Sequence, residues 1–198
     1  MNAEIGRWIL LLSSLTEVEQ ILEIGTWNGA GSSQLIARGV ASNPAKLKTC
    51  KVIGLEIDEN LSKIAKKNLG KYSFFTVLRG TIVNEDELDF KDLVGDEKEW
   101  INEDIIKMKS CKNILADLPL FFDLVILDGG EFSTYAEFKK LEHRITKFLI
   151  LDDTRTRKSR RILEEIESSN HYEIIFKSAE RNGTAVVLKK GVSLPKPV

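Results

Sequence analysis

The segment Glu23-Ile-Gly25-Thr26-Trp-Asn-Gly29-Ala-Gly31-Ser-Ser33 stands where an apolar run over residues 18–25 gives way to a helical pattern over 31–39. A buried strand that turns through glycines into a helix marks an open α/β sheet, and in such sheets ligands bind in the crevice outside the carboxyl ends of the strands. Glycine lets backbone approach a ligand where a Cβ would collide. The G-x-G-x-x-G fingerprint of dinucleotide sites would need a third glycine at position 34, which is Gln34, so a nicotinamide cofactor is disfavoured. The spacing is instead acid-x-Gly-x-x-x-Gly-x-Gly. Glu23, two residues before Gly25, suits a ligand carrying an ammonium group and would repel a diphosphate. The plainer alternative is that the glycines only make a tight strand-to-helix turn.

On either side of this loop, helical stretches alternate with short apolar runs rich in β-branched residues, the pattern of a parallel sheet covered on both faces. The fold class is therefore α/β. Residues 2–15 read as an amphipathic helix, 51–57 as the second strand, Glu59–Leu69 as its helix and 74–78 as the third strand. Residues 84–118 are charge-rich with few strand signals and read as a variable connection, with helices over 86–94 and 97–109 and Trp100 as a candidate contact. Strands follow at 123–127 and 148–151, with helices at 134–144 and 158–168. Two last strands, 172–178 and 184–189, flank Glu180-Arg-Asn-Gly183, where Asn-Gly tolerates the positive φ of a tight turn. The sheet is thus expected to end in an antiparallel pair. The 198 residues read as one domain with a loose tail over 192–198 around Pro195-Lys-Pro197. A chain of this size buries roughly 70% of its unfolded surface, enough for a core without disulfides.

The second strand ends in Gly54-Leu-Glu56-Ile-Asp58, and an acid there can accept hydrogen bonds from both ribose hydroxyls of a nucleoside. Glu56 is the better placed; Asp58 is expected to cap the next helix. After the third strand, Leu78-Arg-Gly80-Thr81 offers a glycine and a small hydroxyl as a rim for an adenine. With these residues the chain resembles the class I S-adenosylmethionine-dependent methyltransferases from Val18 to Lys189. The resemblance implies a Rossmann-like three-layer sandwich with a seven-stranded, mostly parallel sheet and a C-terminal antiparallel hairpin. It further implies S-adenosylmethionine as cofactor, with Glu23, Gly25 and Thr26 in the first loop and Gly29 and Gly31 beside the methionine part. Glu56 would hold the ribose, Gly80 and Thr81 would border the adenine, and Asp128 would close the site.

The fourth strand ends in Leu127-Asp128-Gly129-Gly130-Glu131 and the fifth in Leu151-Asp152-Asp153-Thr154. Three or four carboxylates converging on adjacent strand ends are costly, so something must neutralise them: a divalent cation, raised pKa values, a nearby base, or a cationic cofactor and its substrate. Oxygen-only ligands suit Mg²⁺, Mn²⁺ or Ca²⁺ better than zinc. The arrangement is similar to the metal-dependent O-methyltransferases of the catechol type, and that resemblance implies Asp128, Asp152 and Asp153 as metal ligands. Asp153 stands where that family has Asn, and Glu131 stands near the place of its catalytic lysine. The two motifs look closer to bacterial methyltransferases associated with sugars and secondary metabolites. The alternative is that Asp128 orders the cofactor loop and Asp153 caps the last helix. Methyl transfer to oxygen needs a hydroxyl losing its proton in line with the methyl, and without a metal Asp128 or Glu131 is the candidate general base. His143 and His171 read as structural.

Arg155-Thr-Arg157-Lys158-Ser-Arg160-Arg161 puts five cations at a helix start, where the helix dipole disfavours them. They are expected to screen Asp152 and Asp153, to hold an anionic or sugar-linked substrate, or to pair with Glu164 and Glu165 as ordinary surface charge. Over the whole chain 29 Lys+Arg offset 30 Asp+Glu, which disfavours bulk nucleic acid or an anionic membrane as partner. Base N-methylation is disfavoured because Asp128-Gly-Gly-Glu131 lacks an Asn/Asp-Pro-Pro-aromatic motif. Cys50 and Cys111 have neither zinc nor disulfide spacing. The apolar run from Trp8 to Leu12 is far short of the about 20 residues of a spanning helix and lacks a signal-peptide flank, so a reducing cytoplasm is the expected location. The expectation is thus an S-adenosylmethionine-dependent methyltransferase acting on a hydroxyl of a small polar molecule or sugar. Nucleic-acid or protein methylation and a non-catalytic binding module are the alternatives. The short N-terminal helix offers little cover, so a lid from a partner subunit, as in a homodimer, is also expected.

Overall fold

Thirteen ranges of regular structure alternate along the chain in the computed structural model, which describes residues 3–193. They are α1 (Ala3–Ser14), β1 (Gln20–Ile24), α2 (Ser32–Ser42), β2 (Lys51–Glu56), α3 (Glu59–Leu69), β3 (Phe75–Arg79) and α4 (Glu97–Lys109). After these come β4 (Phe122–Leu127), α5 (Thr134–Leu141), β5 (Ile145–Asp152), α6 (Arg157–Ser168), β6 (Tyr172–Ser178) and β7 (Thr184–Lys189). The sheet order is β3-β2-β1-β4-β5-β7-β6, with β7 antiparallel to both neighbours and the other pairs parallel. Asn2 and residues 194–198, part of the expected helix and tail, lie outside the described residues.

The central strands are apolar on both faces, and their period-two alternation divides the core in two. Leu22, Val125, Leu127, Leu149 and Leu151 face one side, where Ile101, Phe138 and Ile162 from α4, α5 and α6 pack on them. Ile21, Leu124, Ile126, Phe148 and Ile150 face the other, against Ile9, Ile36 and Ala65 of α1, α2 and α3. This is the expected three-layer sandwich with its C-terminal hairpin. The hairpin turns at Arg181 (φ +56°) and Gly183 (φ +83°), the latter donating its N–H to Glu180 O.

The expected helix over 86–94 does not form. One 3-10 turn, Glu85–Glu87, is closed by the Asn84 and Glu87 side chains, and the chain then runs irregularly. Asp89 donates its N–H to Phe132 O, and Asp92 and Gly95 take positive φ, which ends any helical run. Three charged residues, Asp89, Lys91 and Asp92, interrupt the run between Glu87 and Gly95, and Leu88 and Leu93 reach the core from irregular backbone. The fifth helix stops at Leu141 rather than 144, because Arg144 turns its guanidinium to the carbonyls of Leu115 and Pro119 and its own carbonyl accepts from Phe122 N.

The longest helix contact is α1 against α2, and it is close because of Gly39. A Cβ there would lie 2.6 Å from Leu10 O and 2.7 Å from Ser13 Cβ. The fully buried Lys46 seals the end of α1 by donating its Nζ to Ser13 O at 2.5 Å. Gly39→Ala is therefore expected to destabilise the chain by about 1–3 kcal/mol through overpacking, read as a lower urea midpoint at unchanged slope. An unchanged midpoint would show that the contact is looser than described.

Candidate cofactor and acceptor site

Parallel strands β1 and β4 are neighbours, yet their continuations leave to opposite sides of the sheet, α2 and β2 one way and α5 and β5 the other. The crevice at their carboxyl ends is the topological switch point. Gly25 (φ +88°) closes its floor: a Cβ there would sit 2.0 Å from Asp128 O. The Gly25 and Thr26 N–H groups and the Thr26 hydroxyl all donate to Leu55 O, at 3.1, 3.0 and 3.1 Å, so the loop is pinned to the end of β2.

Glu56 is buried, and its two oxygens accept the N–H groups of Trp27 (2.7 Å) and Asp58 (2.9 Å). Burial raises its pKa, and those two N–H groups oppose the rise. A carboxylate has about four lone-pair sites, so each oxygen keeps one for a ligand hydroxyl. As expected, Asp58 caps α3, accepting from Asn60 and Leu61 N–H. Gly25, Glu56, Gly80, Thr81 and Asp128 line one cavity of about 380 Å³. Gly25, Thr26, Gly31, Asp128, Asp152 and Asp153 line an adjoining one of about 310 Å³.

Glu23 and Gly29 line neither cavity. Glu23 lies fully buried beneath the loop, accepting from Ser33 Oγ at 2.6 Å, with Oε1 unpartnered; burial pushes its pKa up to about 7. Gly29 is glycine for packing: a Cβ would meet Ala65 Cα of α3 at 3.1 Å at a φ of +75°. Trp27, absent from the sequence reading, is exposed at φ +50° and lines both cavities.

The strand-end acids do converge. One oxygen from each of Asp128, Asp152 and Asp153 lies within 4.8 Å of the others. Burial raises the pKa of Asp128 and of Asp152. The cluster holds a cation of its own, however: Lys158 Nζ donates to Asp128 Oδ1 at 2.8 Å and to Asp153 Oδ2 at 2.9 Å. Its side chain is only 9% exposed. Burial alone would lower the lysine's pKa, and the two carboxylates reverse this and raise it. The residues expected to ligate a divalent ion therefore do not fit one as they stand, because two of the three are already paired to an ammonium.

One expectation about this edge is corrected. Asp153 is not the cap of α6; it sits at φ +52° and pairs with Lys158, and Thr156 is the cap. Glu131 lines neither cavity and accepts from Thr156 Oγ1 and Lys158 N, both at 3.2 Å, which fixes the helix start.

The basic run is largely engaged within the protein. Arg157 donates to Asp89 Oδ2, Lys91 O, Asp92 O and Glu97 Oε2 at 3.2, 2.6, 3.1 and 3.4 Å, clasping the 84–118 connection to the head of α6. Arg155 donates to Ala179 O, and Arg161 pairs with Glu165. Two further acids line the larger cavity. Asp104 of α4 has a pKa raised by burial; Glu137 of α5 is raised by burial to about 7, and its Oε2 is buried without a hydrogen-bond partner. His143 and His171 line a separate cavity between α5 and β6.

No protein-family model matches the sequence, and no curated protein matches it significantly. Solved structures do share the fold. An O-methyltransferase from Bacillus cereus in complex with SAH superposes with a TM-score of 0.65 at 18% identity, over 96% of this chain and 82% of that one. The O-methyltransferase TomG from Streptomyces achromogenes, involved in tomaymycin synthesis and in complex with SAM, gives 0.63 at 17% over 96% and 82%. A precorrin-6y C5,15-methyltransferase from Geobacter metallireducens gives 0.57 at 13% over 96% and 88%. The chain thus has the fold of the S-adenosylmethionine-dependent methyltransferases, as its loop and strand-end residues led one to expect.

Two measurements test this geometry. Glu23 and Glu137 have folded pKa values of about 7 against an unfolded value of 4.5, so the folded chain takes up protons between these limits and its stability falls as pH rises through them. Glu137→Gln removes one of the two groups and should gain on the wild type by about 1–3 kcal/mol in urea unfolding on going from about pH 5 to about pH 7.5. A parallel pH dependence in the two proteins would refute the assignment. Arg157→Ala should speed amide exchange over residues 89–97 while leaving β4 and β5 protected, and equal protection of that segment would remove Arg157 as its clasp.

Proposed function

We propose that this chain is an S-adenosylmethionine-dependent methyltransferase that transfers the methyl to a hydroxyl of a small polar molecule. The observation that carries the reading is the pairing of Gly25, closed against Asp128 O at the switch point, with Glu56 held at the end of β2. Together they make a cleft of the right chemistry for an aminoacyl nucleoside. Glu56 would accept from the ribose hydroxyls, Gly80 and Thr81 would border the base, and Gly31 and Asp128 would flank the methionine end. The bound cofactor supplies an electrophilic methyl on a sulfonium.

The residues supply the rest. Asp128 is the one strand-end acid lining both cavities, which supports it as the group that accepts the acceptor's proton. Lys158 and the end of β5 hold it in position, and Trp27 and the 84–118 connection exclude water. The smaller cavity is walled by the hairpin tip as well, through Glu180, Arg181 and Asn182. Its acids outnumber its bases even with Lys158 counted, which suits a neutral or cationic hydroxyl compound better than the anionic one expected from the basic run. Cys50 and Cys111 are both free, which supports a reducing compartment.

Calorimetric titration with S-adenosylhomocysteine tests the reading. The wild type should bind; Glu56→Ala should weaken binding by about tenfold or more, since two charge-assisted hydrogen bonds are lost. Gly25→Ala should abolish binding, because its Cβ cannot coexist with Asp128 O. No binding by a folded wild type would end the proposal, and binding with no labelled methyl transferred to any hydroxyl compound would leave a cofactor-binding module.

A further inference from the structure

Three carboxylates at the ends of β4 and β5 need a counter-charge, and the sequence alone led one to expect a divalent ion there. This chain supplies it from α6. We propose that the Lys158 ammonium is the resident counter-cation of the Asp128, Asp152 and Asp153 cluster and closes that cluster to divalent ions.

Lys158 bridges the two strand ends, taking one oxygen of Asp128 and one of Asp153 at 2.8 and 2.9 Å. A divalent ion ligated by the same oxygens would approach them to about 2.0–2.6 Å and would lie against the ammonium, so the two cations exclude each other. The ammonium is not a loose surface group. Its residue is 7% exposed, and its stem starts from a helix end that is fixed on the spot. The Lys158 N–H donates to Glu131 Oε1 at 3.2 Å and to Thr156 Oγ1 at 3.3 Å, and the next residue, Ser159, is fully buried. A swing of Lys158 into solvent would leave Asp128 and Asp153 unpaired in a half-buried cleft, a state that is costly without a replacement cation.

The inference concerns the charge of the cluster and holds whether or not the chain transfers methyl groups, so its test needs no turnover. Mn²⁺ alone is the probe, followed by its electron paramagnetic resonance signal on the full chain, with and without S-adenosylhomocysteine. The wild type should leave millimolar Mn²⁺ free. Lys158→Ala, checked for folding by circular dichroism, should bind Mn²⁺ about tenfold or more tighter than the wild type once the like charge is gone, and Lys158→Ala with Asp152→Asn should lose that gain. Mn²⁺ binding by the wild type that Asp152→Asn removes would overturn the proposal, and so would a folded Lys158→Ala that gains no site. If Lys158→Ala fails to fold, the comparison of wild type with Asp152→Asn, in which both Lys158 pairs are kept, still decides.

Discussion

Everything at the functional edge depends on two parallel strands parting after they have run side by side. β1 and β4 pair from Ile21 to Ile24 against Leu124 to Leu127, and beyond that point their chains leave in opposite directions. The gap would be filled by any side chain on Gly25, which touches the Asp128 carbonyl as it is. Pinning of the loop to Leu55 O and Glu56 then fixes the gap from the β2 side. The cleft is therefore made by backbone, with three adjacent strands each contributing an end. The Thr26 hydroxyl and the Glu56 carboxylate join the backbone in pinning its loop, and the same fold is found in an O-methyltransferase and a precorrin-6y C5,15-methyltransferase.

The second constraint is charge. A switch point concentrates strand ends, and in this chain the strand ends are acidic. Around it, Glu23 of β1 and Glu137 of α5 are buried so fully that desolvation raises their pKa to about 7, while Asp128 and Asp153 have an ammonium at hydrogen-bond distance. Two different solutions to one problem thus lie around one sheet edge: a proton where no cation reaches, and a lysine where one does. This also resolves the odd placement of Lys158 at a helix N-terminus. The dipole opposes it by some tenths of a kcal/mol, on the order of 0.3–1, and two short pairs to carboxylates outweigh that.

What could be read from the residues alone follows how local the cause is. The boundaries of α4, β6 and β7 match the sequence reading because period, turn residues and charge pattern are all within reach of one another. Glu56 and the Asp128–Asp152–Asp153 convergence were legible because strand ends in an α/β sheet share an edge whatever the loops do. The 86–94 segment was misread because its conformation is set by Phe132 O and Arg157, which are distant in sequence. Gly29 has its cause in α3, a contact that spacing cannot show. Lys158 is the instructive miss: the basic run was conspicuous, but which of its five cations faces inward depends on the rotation of α6 about its axis. The apolar stripe of Ile162, Leu163 and Ile166 sets that rotation, and with it Lys158 and Ser159 are buried.

Arg157 and Lys158 are neighbours with opposite duties, and their adjacency ties the two halves of the cleft together. Arg157 reaches outward to the acids and carbonyls of residues 89–97, while Lys158 reaches inward to the ends of β4 and β5. Both start from the same helical turn, fixed by Thr156 and Glu131. A displacement of that turn would shift the connection, which lines the larger cavity through Asp104 and Met108, and loosen Asp128 at the same time. The wall of the larger cavity and the position of Asp128 are therefore set by one local structure. The least regular part of that wall is thus given rigidity by one of the most strongly amphipathic helices.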